Sequence, residues 1–99
     1  MSPQSNTPPA EPVTLAQAKA WLRVESGGDE DALIAELIVA ARLRAEAHAG
    51  RSFDAESPAP VRQAILQIIA ALYEHRGGDA APTPDSALAL LAPYRIIHL

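Results

Sequence analysis

The sequence predicts an all-α fold: a small bundle of about four helices, two long and two short, with a disordered N-terminal arm and an extended C-terminal tail. Three observations carry this. Residues 60–76, PVRQAILQIIAALYEHR, place Val61, Ile65, Ile68 and Leu72 at helical spacing, with Leu66, Ile69 and Tyr73 in a second apolar row beside them. Helix start and stop signals divide the rest of the chain into further helical segments. The one β-prone stretch, residues 94–99, has no partner strand elsewhere.

The chain has 99 residues, no cysteine, and eight basic against twelve acidic residues, a net charge of -4. One domain with a small core fits this length, and a partner covering apolar surface would supplement its stability. The lack of cysteine removes disulfide and thiolate chemistry. The acidic balance is the wrong sign for a protein that mainly grips nucleic-acid phosphates. Apolar runs such as 68–73 and 37–41 fall far short of the roughly 20 residues that span a bilayer, so no membrane partner is expected. The first residues have neither the basic start nor the apolar stretch of a secretory signal.

Residues 1–12 hold four of the nine prolines among Ser, Asn, Gln and Thr, a composition that reads as a flexible arm ahead of a domain spanning 13–99. Thr14, with Gln17 three positions on, has capping-box spacing. It opens a short helix through Leu15, Ala18, Trp21 and Leu22 that ends near Val24. Trp21, at the apolar spacing of that helix, reads as a core anchor in preference to a stacking platform. Asp29, Glu30 and Asp31 read as the cap and first turn of a second helix, where carboxylates favour the positive end of the dipole. A calcium loop is the alternative, but DEDALIAEL turns apolar at once and lacks alternating oxygen ligands. This helix runs to about Ala49, with Leu33, Ile34, Leu37, Ile38, Ala41 and Ala45 inward and Gly50 as its stop. Its outer face carries Glu36, Arg42, Arg44 and Glu46. The arginines read either as members of weak exposed pairs or as contacts to a neighbouring subunit or to DNA.

Phe53, a lone apolar residue in the loop 51–59, is expected to fold back onto the core. Ser57 with Pro58 reads as a cap with proline at the first helical position, and Pro60 is tolerated in the same turn. The central helix of 60–76 follows, with Gln67 as the solvent-facing strip. Thr83 with Pro84 repeats the cap signal for a last short helix through Leu88, Leu90 and Leu91, ended by Pro93. Residues 94–99, YRIIHL, then form a tail. It either adds as a strand to another protein or folds back over the end of its own bundle.

No catalytic or metal set emerges, and no cofactor or enzymatic activity is expected. His48, His75 and His98 are never at the spacing that lets two imidazoles share a metal. Glu74 and His75 are adjacent on a helix and point apart. There is no glycine-rich phosphate loop or nucleophile elbow. A helix-turn-helix reader needs a turn of about 3 or 4 residues, whereas the second and third helices are separated by the whole of 51–59.

The ordered segments TLAQAKAWLRV, DEDALIAELIVAARLRAEAHAGRSF, PVRQAILQIIAALYEHRG and ALALLAPYRI resemble the small head-tail connector, or adaptor, proteins of tailed bacteriophages and gene transfer agents. The resemblance runs from Val13 to Ile96. Its most specific pieces are the AxAxAGR exit of the second helix, LYEHRG at 72–77 and LLAPYR at 90–95. It implies a virion structural protein at the head-tail junction, made in the host cytoplasm. It further implies a homo-oligomeric ring of about twelve copies under the portal protein, closed by cyclic symmetry. Such a ring would extend the DNA channel, contact DNA only transiently, and dock the next neck or tail-completion protein. On this reading Tyr94, Arg95, Ile96, Ile97 and Leu99 form the portal or subunit interface, and Arg42 and Arg44 contact subunits or the channel. The alternative class is a small cytoplasmic regulatory or DNA-binding module, which would need a basic recognition helix that the sequence does not show.

Overall fold

The computed structural model describes residues 11–24, 28–75 and 82–96. These form four α-helices, α1 (Leu15–Leu22), α2 (Asp31–Ala49), α3 (Ala59–Glu74) and α4 (Asp85–Leu91), followed by a 3-10 turn, Ala92–Tyr94. No strand occurs among the described residues. Helix α3 is central: α1, α2 and α4 all pack on it, α2 and α4 most extensively.

The apolar rows expected on α3 are what it buries. Val61, Ala64, Ile65, Ile68 and Ile69 are fully enclosed, and Leu66, Leu72 and Tyr73 pack at the margin of the core. Helix α2 meets α3 with Ile34, Ile38, Ala41, Ala45 and Ala49, all buried. The three alanines at i, i+4 spacing form a low ridge that lets the backbones approach. Val13, Ala87 and Leu91 close the core from the neighbouring segments. Each fully buried isoleucine, leucine or valine contributes about 1.5–3 kcal/mol relative to exposure.

The helix ends follow local chemistry. Thr14 accepts from the Gln17 N–H and Gln17 accepts from the Thr14 N–H, completing the expected capping box. Helix α1 stops at Leu22 because Arg23 turns left-handed, at φ 60°. The Val24 N–H then returns to the Lys19 carbonyl. Gly50, at φ 75°, ends α2 where the sequence placed the stop. Phe53 is buried as expected.

Several sequence expectations give way. Trp21 is 42% exposed and is not a core anchor. Ala18 takes the inward position of this two-turn helix, and Trp21 lies on its flank. Ser57 does not cap α3: its hydroxyl accepts from the Asp54 N–H, closing a turn, and Pro58 itself stands at the N-cap. The same shift of one residue occurs at α4, where Pro84 rather than Thr83 holds the cap position. Proline fits there because its fixed φ suits the extended residue that precedes a helix. By contrast, α4 does end at Leu91, two residues before Pro93, which sits in the 3-10 turn that follows. Gln67 is not a bare solvent strip, since it accepts from the Ser86 hydroxyl of α4. Among the acidic residues at the start of α2, Glu30 makes no side-chain capping bond. Its carboxylate accepts from the Tyr73 hydroxyl instead, and Asp31 pairs with Lys19 at 2.6 Å.

Both ends of the described chain attach to α2. Pro12 is buried and Glu11, which composition assigned to the arm, bonds Arg42 at 2.8 Å. At the other end the Ile96 N–H donates to the Ala49 carbonyl at 2.7 Å. Residues 1–10 of the expected arm, 1–12, and the tail residues 97–99 lie outside the described residues.

Candidate functional site

Three surface features stand out on the outside of the bundle. The first is an ionic cluster on α2. Arg42 Nε donates to Glu11 Oε1 at 2.8 Å, and its Nη1 donates to both carboxylate oxygens of Glu46 at 3.1 and 3.2 Å. Glu46 Oε2 also accepts from the Phe53 N–H at 2.9 Å, so one carboxylate ties α2 to the following loop. The hydrogen bond to Glu11 is the chief reason the Arg42 guanidinium is held above its ordinary value; Glu46 adds to it, and partial burial works against both. Arg42 therefore stays charged and fastens the entering chain to the helix.

The second feature is an open groove between α1 and the first half of α3. Its volume is about 470 Å³, and Val13, Ala20, Trp21, Ala59 and Leu66 supply apolar walls. Arg62, with Gln17 and Gln63, supplies the polar lining. Arg62 joins no ion pair among the described residues.

The third feature is a ridge along the outside of α2. Ala32, Glu36, Val39, Leu43 and Ala47 are all exposed, Leu43 by 53% and Val39 by 39%. At about 100° per residue they point directly away from the row of Ile34, Ile38, Ala41 and Ala45. Helix α2 is thus apolar on two opposite faces, only one of which α3 covers. Glu36, the charge on this ridge, joins no ion pair among the described residues.

The candidate residues from the sequence do not converge on one place. Arg42 is engaged by two carboxylates within the chain, and Arg44 is half-buried along the same helix. Tyr94 packs against the core from the 3-10 turn. Arg95 is extended and exposed, and Ile96 is 44% exposed beside the end of α2. Ile97, His98 and Leu99 lie outside the described residues. His48 falls in the last turn of α2 and His75 at the end of α3, where its Nδ1 lies 2.9 Å from the Ala71 carbonyl. No group of three or more metal-binding side chains assembles among the described residues. No helix there is long and apolar enough to cross a membrane.

The sequence reading missed the ridge and the groove. Val39 and Leu43 stand at i, i+4 spacing opposite the inward row, a signal that was present in the periodicity of α2. The groove joins α1 to α3 across more than 30 residues of chain and left no local mark.

The ridge of α2 and the α1–α3 groove thus leave apolar surface on the outside of a small helical core. A family model described as phage gp6-like head-tail connector protein matches residues 12–95, which takes in all four helices. The chain belongs to the phage gp6-like head-tail connector family. Membership assigns this connector a structural role in a phage particle, in keeping with the resemblance seen in its segments. No curated protein and no solved structure matches the connector chain.

Proposed function

We propose that the connector assembles as a ring under the portal at the virion neck, continues the DNA channel, and docks the next neck or tail-completion component. The observation that carries this reading is the family match over the whole helical body, residues 12–95. The exposed ridge and groove support it, because a connector works through surfaces that its own core leaves uncovered. The net charge of -4 suits a channel crossed by moving DNA, which should not be held by its phosphates.

Within this reading Tyr94, Arg95, Ile96, Ile97 and Leu99 meet the portal or an adjoining subunit, and Arg44 with the open side of Arg42 faces a neighbour or the channel. The ring follows portal symmetry, with about twelve copies related by rotation. Native mass measurement of necks isolated from particles tests the proposal. The expected result is many copies of this chain in complex with portal. Particles that contain portal and tail but lack this chain would overturn it.

A further inference from the structure

We propose that the outer ridge of α2 in one copy seats in the α1–α3 groove of the next copy, so that each subunit contributes two different surfaces to a head-to-tail contact. This rests on the ring reading and names the surfaces that would build it. Isolated exposed leucines are ordinary on protein surfaces, so neither feature alone says what covers it. Their pairing does. The ridge is convex and carries Val39 and Leu43 among small alanines; the groove is concave and walled by Val13, Trp21 and Leu66. They lie on different helices and share no residue.

Charge points to the same pairing. The ridge presents Glu36 and the groove presents Arg62, and neither has an ionic partner among the described residues. By contrast, Lys19 with Asp31 and Arg42 with Glu11 and Glu46 are matched inside the chain. A carboxylate on the convex apolar surface and a guanidinium beside the concave one complement each other across two copies and fix the register. Two ridges placed face to face would instead leave Arg62 of the groove without a part in the contact. A contact between unlike patches is heterologous, and its repetition closes into a ring when the rotation closes.

The absence of cysteine gives a clean test. Val39→Cys on the ridge and Gln63→Cys in the groove are introduced singly and together into the full chain, and assembled particles are treated with a short bismaleimide. Circular dichroism first confirms that each variant keeps its helices. The double variant is expected to give a covalent ladder of this chain, while each single variant gives none. Dimers from Val39→Cys alone would mean that ridge meets ridge, and would overturn the proposal. So would cross-links from either site to a different protein, which would put another occupant on that surface. Necks that hold many copies but yield no ladder would overturn the groove contact while leaving the ring standing. Necks with no more than one copy would remove the ring reading itself. A charge exchange provides a second readout: Glu36→Arg and Arg62→Glu should each deplete the chain from particles, and the two together should restore it. Failure of the double exchange to restore incorporation would count against the register assigned here.

Discussion

Replacing Glu46 with alanine should cost far more stability than its position on an outer helix face suggests. Its carboxylate accepts from the Phe53 N–H and from Arg42. Leaving a half-buried backbone donor without its partner costs about 1–2 kcal/mol in a site that water partly reaches. The ion pair, with side chains 23% and 17% exposed, adds about 0–1 kcal/mol, because Arg42 keeps Glu11 and both groups remain near solvent. A total near 2 kcal/mol lowers the melting temperature of a domain this size by roughly 10 °C. The controls divide the effect. Glu46→Gln keeps an oxygen for the Phe53 N–H and should stay within about 1 kcal/mol of the parent. Arg42→Ala should do the same. Thermal and urea melts followed by circular dichroism measure all three. If Arg42→Ala were as damaging as Glu46→Ala, or Glu46→Gln no better than Glu46→Ala, the backbone anchor would not be the main contribution and the reasoning would fail.

Three further outcomes follow from the structure. Ile68→Ala, in the fully enclosed row of α3, should destabilise the fold by about 2–5 kcal/mol in the same melts, through lost burial and the cavity left behind. Arg23→Gly should stabilise it by about 1 kcal/mol, since the left-handed φ of 60° at this cap strains any residue with a Cβ; an unchanged or lower melting temperature would contradict this. Deleting residues 96–99 removes the Ile96–Ala49 hydrogen bond, a loss of about 1 kcal/mol, and under the proposed portal contact it should abolish co-sedimentation with isolated portal; retained co-sedimentation would contradict that contact.

What the sequence made legible was what chain-local chemistry determines. The rows of α3, the Thr14–Gln17 box, Gly50 and the return of Phe53 each depend on residues a few positions apart or on one strong apolar period. Trp21 was misplaced because it stands only roughly 60° round α1 from Ala18, and two turns of helix do not define an inward face sharply enough to separate them. The cap at Pro58 was displaced by one because Ser57 had a competing use in the turn with Asp54, which only the folded loop reveals. The contacts of Glu30 with Tyr73 and of Glu11 with Arg42 join residues brought together by the fold, and periodicity is silent about them. For the candidate surfaces, the exposed row of α2 was readable in principle, whereas the groove needed two helices in their folded positions.

The attachment of both ends of the described chain to α2 has a mechanical consequence. Glu11 grips the helix at Arg42 and Ile96 at Ala49, sites seven residues apart and therefore separated by about 10 Å along the axis. Tension applied between these ends is carried across two turns of one helix and does not have to cross the isoleucine core. Under such a load the hydrogen bond from the Ile96 N–H is the weaker anchor, because the Arg42–Glu11 pair is backed by the buried Pro12 and Val13 next to it, so the Ile96 end should release first. Because Glu11 and Ile96 are fastened to one helix, a short peptide bridging these two residues, with new termini opened between α3 and α4, should give a circular permutant that folds to the same bundle.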